Sequence, residues 1–118
     1  MAVLTARRAQ HAGKPGIGEL EQKAAEAAGL LKLLANENRL LILCRLAQVK
    51  EMSVGDLAET VGLSQSALSQ HLALLREQGL LGTRRDAQAV FYRLADPAAI
   101  RLLGLLHDIY CPGTGAKP

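Results

Sequence analysis

The stretch Ser53 to Leu94, SVGDLAETVGLSQSALSQHLALLREQGLLGTRRDAQAVFYRL, decides the fold of this 118-residue chain. Ser53-Val54-Gly55-Asp56 matches a capping box. In it the Ser53 hydroxyl accepts from the backbone N–H of Asp56, while the Asp56 side chain, shorter than the usual Glu, reaches back. The helix so started carries Leu57, Ala58 and Val61 at helical spacing. Gly62 then supplies the positive φ that a helix C-terminus prefers, Leu63 is apolar, and Ser64 is a good N-cap for the next helix. Helix, turn and helix follow without a spare residue, which is how a tight helix-turn-helix is built.

The second helix of the pair is expected from Ser64 to about Gln78. Leu68, Leu72 and Leu75 repeat at three and four residues and face a core, with Ala67 and His71 beside them. Gln65, Ser66, Ser69, Gln70 and Ala73 lie on the opposite side. Short hydrogen-bonding side chains suit the DNA major groove, where Gln binds adenine at two points and Ser pairs with several base edges. On an isolated helix such a face is usually just solvated. After a helix and a tight turn it reads as a recognition helix, with Ser64, Gln65, Ser66, Ser69, Gln70 and His71 as the DNA-facing set.

Gly79-Leu80-Leu81-Gly82 ends that helix. Leu81 to Arg85 and Ala89 to Leu94 then read as two strands around Asp86-Ala87-Gln88, with Val90, Tyr92 and Leu94 alternating with Phe91 and Arg93 as a half-buried hairpin requires. Arg84, Arg85 and Arg93 sit on or beside this hairpin, where a wing meets phosphates and each neutralised phosphate releases a counterion. Taken singly, each arginine reads equally well as solubilising an edge strand; their clustering favours the wing. The fold expected is a mainly α winged helix-turn-helix with a small β-hairpin, in the order α-α-α-α-β-β-α.

Outward from this segment, residues 1–18 show no periodicity and are expected to form an N-terminal arm. Residues 19–111 are expected to form one DNA-binding and dimerisation domain, and 112–118 a tail. A first helix is expected over about Glu19 to Ala35. A second, capped by Asn36, runs through Val49, with Arg39 either contacting phosphate or capping. A last helix starts near Pro97, suited to a first turn, and stops at Pro112-Gly113. With 49% hydrophobic but only 3% aromatic residues, the core must be mainly Leu and Ala. The net charge of +3 suits a polyanionic partner without establishing one. The apolar runs are far too short to span a bilayer, and no apolar stretch follows Arg7-Arg8, so neither a secretory nor a twin-arginine signal is read and a cytoplasmic location is expected.

The last helix carries Ile100, Leu102, Leu103, Leu105, Leu106, Ile109 and Tyr110 almost all the way round. A domain this small cannot cover such a helix alone. A homodimer resolves the excess, and two-fold symmetry sets two recognition helices on successive major grooves of an inverted-repeat operator in double-stranded DNA.

With these motifs in place the chain resembles the ArsR family of dimeric winged-helix repressors over about residues 25 to 111. The carriers are Leu31 to Leu40, Ser53 to Ala58, Leu63 to Leu72, and Val90-Phe91-Tyr92-Arg93-Leu94. The resemblance implies a repressor, not an enzyme, that leaves its operator when an inducer acts. Many metal-sensing members place Cys-x-Cys before the turn, where this chain has Ser53-Val54-Gly55-Asp56. Others set Asp and His ligands along the last helix, where this chain offers His107 and Asp108.

There remain Cys44 in the second helix and Cys111 at the end of the last, too far apart in sequence for a local Cys-x-x-Cys motif. From the residues alone they read as two small buried hydrophobes. Through Asn36-Glu37-Asn38-Arg39, Leu41-Ile42-Leu43-Cys44 and Tyr110-Cys111-Pro112, however, the chain is similar to the sulfide- and persulfide-responsive members of the family. That similarity implies a dithiol switch: a persulfide or polysulfide inducer bridges Cys44 and Cys111 by a disulfide or polysulfide, the operator is released, and sulfide-detoxifying genes are derepressed. No cofactor is expected. Three alternatives stand beside it: a metal-responsive repressor with a Cys44, His107 and Cys111 site and a water or His11 as fourth ligand, a thiol enzyme, and a protein interaction module that never meets DNA.

Overall fold

The computed structural model describes residues 15–113; the expected arm up to residue 14, with His11, and the tail beyond Gly113 lie outside them. In chain order there are helices α1 (Ile17–Gln22), α2 (Ala24–Leu34) and α3 (Glu37–Gln48), strand β1 (Met52–Ser53), helices α4 (Val54–Val61) and α5 (Gln65–Glu77), strands β2 (Leu81–Asp86) and β3 (Ala89–Leu94), and helix α6 (Pro97–Tyr110). The chain divides into two compact units at Leu31 and Lys32, within α2.

In the N-terminal unit, the single helix expected from Glu19 is interrupted. Helix α1 begins at Ile17 and closes at Lys23, whose ψ of 15° departs from helical geometry, before α2 starts at Ala24. Ile17, Leu20 and Leu31 are exposed there.

In the second unit, Asn36 caps α3 by accepting from the Arg39 N–H at 3.0 Å. Arg39 turns back to donate from Nε to Leu33 O at 2.7 Å and from Nη2 to Lys32 O at 3.1 Å. Carbonyls at a helix C-terminus lack partners of their own, so Arg39 satisfies two of those at the end of α2. Of its two readings, the structure shows capping. Ser53 Oγ caps α4, accepting from the Asp56 N–H at 3.2 Å. The return bond expected from Asp56 is not made among the described residues: Asp is one methylene short of Glu.

Gly62, at φ 76°, ends α4, and Ser64 caps α5 by accepting from the Ala67 N–H at 3.1 Å. Asp96 caps α6 with Pro97 in its first turn. The core is the side of these elements that the leucine spacing marked: Ile42, Leu43 and Leu46 of α3, Leu57 of α4, Leu68, Leu72 and Leu75 of α5, then Leu80 and Leu81. Full burial of each stabilises the fold by about 1.5–3 kcal/mol before chain entropy is charged against it.

The sheet has three strands in the order β1-β3-β2. The expected hairpin is present, with one change and one addition. Asp86 pairs with Ala89, so the turn is Ala87-Gln88 alone, and Ala87 takes a left-handed φ of 57°. The addition is β1, where Met52 pairs with Tyr92 and Ser53 with Phe91. Two residues cannot display a period, so the sequence held no sign of it. Ser53 is at once the end of β1 and the cap of α4.

Candidate nucleic-acid interface and the two cysteines

Helix α5 is set by its apolar stripe. With Leu68, Leu72 and Leu75 buried, Gln65, Ser66, Ser69, Gln70 and Ala73 face solvent together, and Ser64 is exposed at the entry. His71 is half-buried at the margin. Gly55 in the first turn of α4 lies beside the Gln65 amide, which would be in ordinary contact, 3.9 Å, with a Cβ at that position. The first turn of α5 holds no acidic residue, so its N-terminal N–H groups and dipole present a positive end undiminished by a carboxylate.

The strand register divides the three hairpin arginines between two faces. Gly82 opposes Arg93 and Arg84 opposes Phe91, so Arg84 and Arg93 share one face, while Arg85 opposes Val90 on the other. Arg93 lies across Gly82: a Cβ there would come within 2.7 Å of the guanidinium carbon, so a side chain at this position would displace the guanidinium from its seat. Arg93 also has a long contact, 3.4 Å, from Nη1 to Thr83 O.

Arg84 is engaged within the chain. Its Nε donates to Glu51 Oε1 at 3.0 Å, Nη2 donates to Oε2, Asp86 stands 3.8 Å away, and the guanidinium lies 4.7 Å from the Phe91 ring centroid. The hydrogen bond from Arg84, with the arginine's charge, holds the Glu51 carboxyl below the usual carboxylate range. Glu51 and Phe91 were not singled out as site residues, and no sequence signal joins Glu51 to a residue so far along the chain.

Cys44 on α3 and Cys111 at the C-terminal end of α6 are both exposed thiols, not the buried hydrophobes that the residues alone suggested. Partial burial pushes the Cys44 thiol up, so less of it is thiolate at neutral pH than for an open cysteine. Cys44 lines a shallow groove of about 210 Å³ with Leu41, Arg45, Gln48, Thr60 and Val61. Arg45 is a further residue that the sequence did not single out. His107 Nδ1 lies 3.6 Å from Asp108 Oδ1. Among the described residues no three His, Cys, Asp or Glu side chains are gathered as metal ligands, so the alternative Cys44, His107 and Cys111 site is not assembled within one chain.

A helix-turn-helix with an exposed polar second helix and a basic β-hairpin beside it defines a class: winged-helix DNA-binding proteins. Residues 36–82 match the family model described as bacterial regulatory protein, arsR family. The chain is 50% identical over 109 residues to nodulation protein NolR of Rhizobium meliloti, covering 92% of this chain and 88% of that one. Reduced HlyU from Vibrio cholerae N16961 superposes with a TM-score of 0.73 at 53% identity, covering 79% of this chain and 97% of that one. The transcriptional repressor BigR from Xylella fastidiosa superposes with a TM-score of 0.75 at 41% identity, covering 80% and 95%. The chain belongs to the arsR family of bacterial regulatory proteins and is a DNA-binding transcriptional regulator, not an enzyme. Among the described residues no helix is long and apolar enough to cross a membrane.

Proposed function

We propose that this regulator is a cytoplasmic repressor that binds an inverted-repeat operator as a homodimer and releases it when reactive sulfur species bridge Cys44 and Cys111. The observation that carries the reading is the pair of exposed thiols, one on a helix of the DNA-binding unit and one at the end of α6. A relative 53% identical has a structure named for its reduced state, and a relative 41% identical is named a repressor. The first name favours redox sensitivity, although that relative is itself named a transcriptional activator, and the second favours repression. The dimer is supported by α6, on which Ile100, Leu105, Ile109 and Tyr110 are exposed, Tyr110 at 78%, while of the whole helix only Ala99 is buried.

DNA contact falls to Ser64, Gln65, Ser66, Ser69, Gln70 and His71 in the major groove, and to Arg85 and Arg93 at phosphates, with Arg84 holding the wing through Glu51. In the switch, the Cys44 thiolate attacks the outer sulfur of a persulfide R–S–S–H. The new S–S bond forms on Cys44 as the old one breaks, and R–S⁻ leaves. The Cys111 thiolate then attacks Cys44 Sγ, expelling HS⁻ and closing a disulfide. The two thiols are thereby oxidised by two electrons and the transferred sulfur is reduced. If Cys111 has also taken up a sulfur, attack by its terminal sulfur on Cys44 Sγ, again with loss of HS⁻, leaves a trisulfide. Its extra atom spans a wider gap than the roughly 7 Å between Cα atoms that a disulfide tolerates.

The test is fluorescence anisotropy of a duplex from the protein's own promoter, with reduced protein and with protein treated anaerobically with glutathione persulfide. Loss of affinity that a reductant restores, and that Cys44→Ser and Cys111→Ser each abolish, is the expected result. Release that survives either substitution refutes the switch.

A further inference from the structure

The groove beside Cys44 contains a cation that has not found an anion. Arg45 is half-buried, and its Nε is shut off from solvent with no acceptor. Its Nη1 reaches Gln48 Oε1 only at 3.5 Å, and it makes no ion pair with a carboxylate among the described residues. A guanidinium taken partly out of water without a charged partner is costly, and a buried donor left unpaired calls for a ligand, ion or water. Around it, Leu41 and Val61 form an apolar wall. Thr60 donates its hydroxyl hydrogen to Asp56 O at 2.8 Å, leaving its oxygen as an acceptor, and Gln48 Nε2 donates to Cys44 O at 3.2 Å. The thiol, the unanchored guanidinium fork and the apolar wall thus line one shallow concavity.

We propose that this groove docks the inducer, and that Arg45 selects persulfides whose carrier thiol bears a carboxylate, seating their outer sulfur against Cys44 Sγ. The carboxylate supplies the charged partner that the outer Nη groups of the guanidinium lack, Nε itself being closed to the groove, and the carrier's methylenes lie on Leu41 and Val61. The bond changes are those already given for the first transfer, with the carboxylated thiolate as leaving group. The inference rests on the reading that Cys44 accepts sulfur, and it adds a chemical preference that reading does not require. Persulfides without a carboxylate then reach Cys44 without this docking contact.

The test uses the reduced full-length protein with the persulfides of N-acetylcysteine and of its amide, which differ in the carboxylate alone. Sulfur uptake on Cys44 is followed by quenched-flow mass spectrometry, each rate divided by that of the same reagent with a small free thiol. The acid is expected to react about tenfold faster than the amide, the scale of one charge-assisted pair in a half-buried site. Arg45→Gln loses the preference, Arg45→Lys keeps most of it, and added salt reduces it in the wild type. Equal normalised rates in the wild type, or a preference unchanged in Arg45→Gln, overturn the groove and leave the switch standing. Failure of both reagents to modify Cys44 overturns the switch and the groove together. Should Arg45→Gln fold poorly by circular dichroism, the Lys variant and the salt series decide.

Discussion

The division of labour among the three hairpin arginines makes a prediction in the salt dependence of DNA binding. Arg84 is neutralised within the chain by Glu51, with Asp86 at 3.8 Å, so it displaces no counterion from DNA. Arg85, on the other face, and Arg93 make no ion pair with a carboxylate among the described residues, although the Arg93 charge is felt at Glu51. A phosphate contact changes the slope of log K against log salt by about 0.9. Over two copies, Arg85→Gln therefore lowers the slope by about 1.8, so that raising salt from about 50 mM to about 200 mM weakens the variant roughly tenfold less than the wild type. Arg93→Gln behaves alike. Arg84→Gln lowers affinity by loosening the wing, leaves the slope unchanged, and is mimicked by Glu51→Gln in thermal stability. The assay is anisotropy titration at four or more salt concentrations for each variant. If Arg84→Gln lowers the slope as much as Arg85→Gln, the guanidinium leaves Glu51 on binding and the argument from the free protein is wrong.

Ala87 sits at φ 57° in the hairpin turn, where a Cβ costs about 1–2 kcal/mol. After the extra unfolded-state freedom of glycine, Ala87→Gly should raise stability by about 0.5–1 kcal/mol, about 4 °C in Tm, and unchanged or lower stability would count against that turn. Because partial burial raises the Cys44 thiol pKa, its thiolate appears at higher pH than that of an open cysteine. Alkylation of Cys44 in Cys111→Ser protein should therefore climb with a midpoint above that of free cysteine in the same buffers, and a midpoint at or below it contradicts the burial. Ile109, 56% exposed on α6, belongs to the proposed dimer interface. Ile109→Asp should give monomers by sedimentation velocity with unchanged circular dichroism and lost operator binding, and a stable dimer would move the interface elsewhere.

The recognition helix, its caps and its polar face were legible because they follow from local rules: one serine hydroxyl at each helix start, one left-handed glycine, and leucines at helical spacing. The hairpin was legible from alternation, up to one residue at the turn, where the pairing of Asp86 with Ala89 extends the ladder. The break at Lys23 was not, because Ala and Glu on both sides favour a continuous helix and propensity does not mark a single departing ψ. Partners distant in the chain were equally hidden. Glu51 finds Arg84 only once β1 has paired with β3, and Arg39 finds the carbonyls of α2 only once the chain has turned at Asn36. For the cysteines, the sequence showed which helices carry them, while the groove that Thr60 and Val61 form beside Cys44 depends on how α3 lies against α4.

Ser53 ends a strand and caps a helix with the same residue, so no joint exists between the sheet and α4. The hairpin and α4 travel as one casting, and a signal cannot tilt one against the other without breaking the β1 pairs or the cap. In the proposed dimer, what an inducer can adjust is how far apart two such castings stand. The operator then acts as a gauge block: its spacing between half-sites, more than any single base, measures whether the thiols are reduced.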